Sequence, residues 1–280
     1  MSELKILACQ IMVPQTRNAA ARDAHLSAVA AQISAHAQPG QFDLIVLPEL
    51  SSIEYSSDAF ARLDELEEPL AGPSYDVFSD LARNLKTTIS YGFPHRGHRG
   101  RHISQGVMGP DGGLIGRYDK IHIAEFGTSA EAAHFSPGDG LLIVEIAGFQ
   151  IAPIICYDIR FPMLTERLRA AGCDLVLQSA AYGRDFSFDS WHDFARTRSI
   201  ETQMAWLGLN RAGPDWGGSI WIPDGLAADR PAPLGTEETF FPITLSRADL
   251  DTARARMPIS RDRRSDYEAL ALRKRGVSEA

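Results

Sequence analysis

Apolar residues along the chain keep two rhythms, and the two alternate. Continuous, partly β-branched runs over residues 4–13, 42–47 and 87–93 have the length and composition of buried strands. Between them, Leu26, Val29, Ala30, Ile33 and Ala37 recur at helical spacing within 17–38, and Val77, Phe78, Leu81 and Leu85 do so within about 74–85. Gln38-Pro-Gly-Gln breaks the first helix. The middle of the chain changes character: 106–116 predicts a hairpin around Gly109-Pro-Asp-Gly-Gly, and 141–156 another around Ala147-Gly148. Helix and strand patterns resume over 163–171, 174–179, 189–204 and 206–210, with strand signals again at 219–222 and 239–245. The expected class is α/β, with mixed sheets covered by helices. Two such sheets packed face to face, helices outside, would suit 280 residues, read as one domain over 1–280 with a tail from about 257.

Composition narrows the function classes. A hydrophobic fraction of 44% is ample for a large core, and a formal net charge of -8 argues against general nucleic-acid binding. No apolar run approaches the roughly 20 residues of a membrane span. The N-terminus, Met1-Ser-Glu-Leu-Lys, lacks the features of a signal peptide, so a cytoplasmic protein is expected. The cysteines, at 9, 156 and 173, have no CxxC spacing, so neither a disulfide framework nor a zinc site is expected. The basic run from His95 to His102, rich in glycine and set between two strand signals, reads as a solvated hairpin loop rather than a metal or RNA site.

Three residues stand where strands stop. Cys156 ends Ile151-Ala-Pro-Ile-Ile and is followed at once by polar residues and a proline that can open a helix. A nucleophile on such a turn is exposed at the sheet edge, with the next backbone N–H aimed at a reacting carbonyl oxygen. A free cysteine more often simply packs, the reading that Cys9 and Cys173 receive. Glu49 directly follows Phe42-Asp-Leu-Ile-Val-Leu-Pro, at the C-terminal strand end where open α/β sheets bind ligands, and partial burial would raise its pKa toward that of a neutral-pH base. Lys120 closes Leu114-Ile-Gly-Arg-Tyr-Asp, where an ammonium can balance a thiolate or an oxyanion, although a snorkelling surface lysine is the commoner case. Gly-x-Ser-x-Gly, His-Glu-x-x-His and Walker motifs are absent, and the nearest downstream histidine, His192, lies in a predicted helix. A base other than histidine leaves Glu49, Lys120 and Cys156 as the better set.

Taken together, Leu47-Pro-Glu49, Tyr118-Asp-Lys120-Ile-His and Cys156-Tyr-Asp-Ile-Arg-Phe resemble the carbon–nitrogen hydrolases, the nitrilase-like family. Glu131-Ala-Ala-His-Phe-Ser-Pro-Gly-Asp, Trp191 through Glu201 and Gly218-Ser219 resemble further family segments, so the likeness runs over about residues 3 to 270. The resemblance implies a four-layer α-β-β-α sandwich of two mixed sheets, a homodimer or larger homo-oligomer, and a catalytic set of Glu49, Lys120, Cys156 and Glu131. It implies a cysteine acyl-thioester route, with the Tyr157 backbone N–H and Lys120 on the oxyanion, and no metal or organic cofactor. The residues after the nucleophile are similar to the amidase branch that includes omega-amidases, so the expected partner is a small carboxylate-bearing or aliphatic amide. Tyr55 and Tyr182 would border its pocket, and Arg184 would pair with a substrate carboxylate or, read blandly, be a solvated loop arginine. Glu54, Ile103 and Gln178 depart from the family pattern around that pocket. An N-carbamoyl amide hydrolase and a catalytically silent binding subunit are the alternatives.

Overall fold

Period-two alternation in the central strands sends one set of side chains to each face of a sheet, and both faces are apolar. In a computed structural model describing residues 2–126, 129–226 and 232–273, this produces four layers. The first half of the chain contains β1 (Glu3–Gln10), α1 (Ala19–His36), β2 (Leu44–Val46), α2 (Ser57–Phe60), α3 (Leu63–Leu66), α4 (Pro73–Leu85), β3 (Thr88–Gly97), β4 (Gly100–Met108) and β5 (Leu114–Asp119). The second contains β6 (Val144–Ile146), β7 (Phe149–Ile155), α5 (Pro162–Ala170), β8 (Leu175–Ser179), α6 (Phe188–Thr202), β9 (Ala205–Leu209), β10 (Ile220–Ile222), β11 (Thr239–Ser246), α7 (Arg247–Arg256) and α8 (Ile259–Asp262).

One sheet runs β11-β1-β2-β3-β4-β5 and the other β10-β9-β8-β7-β6. Each has parallel strands at its centre, β1-β2-β3 and β7-β8-β9, and antiparallel strands outside them, so both are mixed as expected. Leu4, Ile6, Ala8, Leu44 and Val46 face Ile151, Leu175, Leu177, Leu207 and Leu209 between the sheets. The alternate positions Leu7, Cys9, Ile45 and Leu47 pack beneath α1 and α4. On the far side Val176 and Trp206 pack beneath α5 and α6 through Leu164, Leu168, Trp191 and Ala195. Helices therefore cover both outer faces, the α/β sandwich read from the sequence. Cys9 and Cys173 are buried packing residues, as expected.

The Ala147-Gly148 turn joins paired Ile146 and Phe149 with both residues at positive φ, the backbone a two-residue hairpin requires. The basic run differs from its expectation. His95 pairs with His102 and Gly97 with Gly100, so strands continue through the segment and only residues 98 and 99 form the turn. His95 and His102 are 5% and 8% exposed because Glu68 bridges the first strand while the Ser136 carbonyl, 2.9 Å from His102 Nδ1, covers the second. The four-residue helices α2 and α3 were not anticipated, since one turn leaves no periodicity to read. Past α7, the Met257 carbonyl accepts from Gln203 Nε2 and Arg263 pairs with Glu166, so the start of the expected tail packs on α5 and α6. Residues 274–280 of that tail lie outside the described residues.

Asp174 fastens α7 across the strand edges: its carboxylate accepts from Arg247 at 2.7 and 2.9 Å, Arg254 at 2.9 Å and the Gln150 N–H at 3.0 Å. Burial alone would raise this carboxyl, but those donors outweigh it and hold it below the usual 3.8. A carboxyl depressed on folding stabilises above its unfolded pKa and loses that contribution as pH falls through the folded value. Asp174→Asn should therefore lower the urea-unfolding free energy by about 2–4 kcal/mol at pH 7. The gap should close toward pH 3; an equal gap at both pH values would exclude the ion pair as its source.

Candidate active site

Strands of both sheets end on one edge, and the residues just past those ends carry the polar chemistry. Glu49 follows β2, Lys120 follows β5, Cys156 follows β7, Ala181 and Tyr182 follow β8, and Asn210 and Arg211 follow β9. The three residues singled out where strands stop are thus brought together, and Glu131 joins them from a short 3-10 turn. Glu49, Lys120 and Glu131 are each 0% exposed. Lys120 Nζ donates to Glu49 Oε1 at 2.8 Å and to Glu131 Oε1 at 2.6 Å. The second Glu49 oxygen accepts the Ala181 N–H at 2.8 Å, and the second Glu131 oxygen accepts the Ala124 N–H at 2.8 Å. Tyr55 Oη also donates to Glu131, at 2.6 Å.

Charges this deep perturb one another. Burial and the neighbouring Glu131 raise the Glu49 carboxyl, against the pull of Lys120 and the Ala181 N–H. Burial would lower Lys120, yet Glu131 and Glu49 hold its ammonium well above the usual 10.5. Burial and Glu49 push the Cys156 thiol well above 9.0, and Lys120 opposes them without prevailing. Lys120 does favour a thiolate, as the sequence suggested, but two carboxylates already share its charge. Burial and Glu49 thus favour the neutral thiol over the thiolate at Cys156.

Two turns in the site adopt left-handed backbone. Leu50 has φ 46° and Cys156 φ 45°, conformations that cost a side-chain-bearing residue about 1–2 kcal/mol. Each is held by a buried polar clamp. Arg211 donates to the Glu49 carbonyl at 2.9 and 3.2 Å, to Leu50 O at 2.6 Å and to Ile53 O at 2.8 Å. Gln178 Nε2 donates to the Cys156 carbonyl at 3.0 Å, while its oxygen accepts both indole N–H groups of Trp191 and Trp206, at 2.9 and 3.2 Å. Asp158 then ties the cysteine turn to the lysine strand: its carboxylate accepts from the Ile155 and His122 N–H groups, each at 3.0 Å, and from Tyr118 Oη at 2.7 Å. Gly92 completes the packing, because a Cβ there would lie 2.5 Å from Leu50 N and Pro48 O.

Of the four charged or nucleophilic residues only Cys156, 9% exposed, opens into solvent-accessible space. It lies in a chamber of about 50 Å³ whose walls include Tyr55, Phe126, Tyr157, Tyr182 and Trp216. The chamber leads to a vestibule of about 400 Å³ bordered by Phe60, Arg184, Asp185 and Asp215. Tyr55, Tyr157 and Tyr182 therefore sit where the sequence placed pocket residues. Arg184 does not reach the chamber; it lies exposed at the mouth, its Nε donating to the Trp216 carbonyl at 2.6 Å and its guanidinium 4.4 Å from the Phe188 ring. Of the departures, Glu54 turns away to accept the Thr16 N–H at 2.8 Å, and Ile103 is core whose carbonyl receives the Lys120 N–H. Gln178 is the one that acts on the site.

Arg211 was missed, although it follows the apolar strand run 206–210 just as Glu49 follows its own. Burial pushes its guanidinium down to about 10, against the pull of Glu49, so it remains charged at neutral pH. With both carboxylates ionised, the two positive charges of Lys120 and Arg211 match the two negative charges of Glu49 and Glu131.

A family profile described as Carbon-nitrogen hydrolase matches residues 7–256. An omega-amidase of Homo sapiens is 27% identical over 244 residues, covering 82% of this chain and 86% of that protein. A hydrolase in the pqqF 5' region of Pseudomonas protegens is 31% identical over 242 residues, covering 82% of this chain and 81% of the relative. Among solved structures, a CN-hydrolase superfamily protein of Xanthomonas campestris, with an arsenic adduct in its active site, superposes with a TM-score of 0.78 at 27% identity, covering 95% of this chain and 98% of that one.

The Arg211 clamp makes its own prediction. Arg211→Lys keeps the charge but loses the fork that serves three carbonyls, so the urea-unfolding free energy should fall by about 2–4 kcal/mol. Wild-type stability in that variant would mean the guanidinium geometry holds nothing.

Proposed function

This chain belongs to the carbon–nitrogen hydrolase family, and from that premise we propose that it is an amidase working through a cysteine acyl-thioester. The reading rests chiefly on one observation: a lysine with no solvent exposure bonded to two carboxylates, behind a chamber that Cys156, alone of the four candidate residues, lines. The curated omega-amidase relative supports the amide-directed choice.

In the proposed cycle Glu49 takes the thiol proton as Cys156 Sγ bonds to the amide carbon, because burial disfavours a standing thiolate. The developing oxyanion meets Lys120 and the Tyr157 N–H, each such donor being worth roughly 3–4 kcal/mol. Glu49 returns its proton to the leaving nitrogen, the carbon–nitrogen bond breaks, and ammonia or an amine departs. Water, deprotonated by Glu49, then attacks the thioester; the acid leaves and the proton returns to sulfur. Glu131 holds Lys120 in place throughout. Every step is a proton transfer or an acyl transfer, and none calls for a metal or organic cofactor.

Cys156→Ala should abolish ammonia release from primary amides, and denaturing mass spectrometry of wild-type protein mixed with a slow amide should find the acyl mass on the Cys156 peptide. Full turnover in Cys156→Ala would refute the proposal, and carbon dioxide released with the ammonia would redirect it to carbamoyl substrates. Glu49→Gln should lower kcat at least about a hundredfold. In wild type, kcat/KM should rise with pH as Glu49 loses its proton, with a midpoint above the ordinary 4.5. Lys120, held well above 10.5, should contribute no falling limb below that pH.

A further inference from the structure

The charge of the chamber selects among amides. Of the described residues lining it, Asp185 has the only charged side chain, and it also borders the vestibule. Asp185 Oδ1 is fixed by the Ser187 N–H at 2.8 Å and Ser187 Oγ at 2.7 Å. The remaining carboxylate oxygen has no hydrogen-bond partner among the described residues. Neither nearby arginine lines the chamber. Arg184 is pinned at the mouth by the Trp216 carbonyl and the Phe188 ring. Arg160 lies outside the chamber lining, donating to Tyr182 Oη at 2.5 Å and Ser190 Oγ at 3.4 Å. The remaining walls include Tyr55, Phe126, Tyr157, Tyr182 and Trp216, aromatic rings that can attract a cation and carry no positive charge for a carboxylate.

Size fixes where the charge must lie. At about 50 Å³ the chamber has room for only a few water-sized groups, so it holds a carboxamide head and a short stem. Whatever ends the acyl chain lies at the boundary with the vestibule, beside Asp185. We infer that the substrate is a short-chain primary amide whose far end is a cation, an ammonium or guanidinium held by Asp185, and not the carboxylate-bearing amide that the sequence suggested. This rests on the amidase reading for its chemistry, though not for its charge preference.

The test compares three amides with the same four-methylene stem, 5-aminopentanamide, hexanamide and adipamate, by ammonia release. In wild type kcat/KM should fall in that order, with the ammonium amide at least about tenfold above the carboxylate. Asp185→Asn keeps an acceptor for Ser187, so the loop should hold its shape. The ratio of kcat/KM for the ammonium amide to that for hexanamide should drop at least about tenfold in this variant. Adipamate as the fastest substrate, or an unmoved ratio in Asp185→Asn, overturns the inference. Calorimetry of the three amides on Cys156→Ala separates the two readings. Preferred binding of 5-aminopentanamide without wild-type turnover of any amide upholds the cation site and sinks the amidase reading, whereas turnover with no such preference does the reverse.

Discussion

The structure depends on keeping an ammonium and two carboxylates out of water within hydrogen-bond reach of one another. Moving a single such ion into the interior costs several kcal/mol after relaxation, and only near-complete pairing offsets it. Lys120 meets both glutamates, and each glutamate's second oxygen is capped by a backbone N–H. Arg211 brings a second buried cation to the strand end that carries Glu49. Removing any member would leave an uncompensated charge, so the loops that bring these residues together are constrained as tightly as the core.

That constraint explains the backbone strain. A carboxylate and a thiol must each leave a buried strand and turn at once into the same small space, and Leu50 and Cys156 take left-handed conformations to do so. The stabilising partners come from the opposite sheet or the strand next door: Arg211 after β9 holds the Glu49 turn, and Gln178 on β8 holds the Cys156 carbonyl. Ser179 adds a bond from β8 to the Leu47 carbonyl at the end of β2. The face-to-face sheets thus do more than bury apolar surface. The second sheet supplies the clamps for its own functional turn and for that of the first.

What could be read from the sequence follows from this. Buried strands announce themselves by apolar runs, so the strand ends, and with them Glu49, Lys120 and Cys156, were visible, as was the layered fold. Glu131 was reached only through family resemblance, because its signal is a short turn rather than a strand end. Arg211 carried the same strand-end signal as Glu49 and was passed over. Asp158, Gln178 and Asp185 could not be found by periodicity, since their importance lies in partners far along the chain or in which wall of a cavity they occupy. The buried histidines of the β3–β4 hairpin were hidden for the same reason: the chain that covers them, around Glu68 and Ser136, is remote in sequence.

In the proposed function and the inference drawn from it, chemistry and selectivity are carried by different parts of the chain. Glu49 and Lys120 stand at strand ends, where sheet geometry fixes them, and with Glu131 they lie just behind the chamber wall, bonded to it through Tyr55, Ala124 and Ala181. The wall is built largely from loops: Tyr55 after β2, Phe126 and Ser129 after β5, Tyr182, Gly183, Asp185 and Ser187 after β8, and Trp216 after β9. Loops tolerate replacement better than strands that share a core. A substitution at Asp185 alters the charge of the chamber lining without disturbing a hydrogen bond of Lys120, whereas one at Gln178 or Arg211 alters the turns on which catalysis would rest. On the proposed reading, substrate preference can therefore change at the wall while the buried charges stay in place.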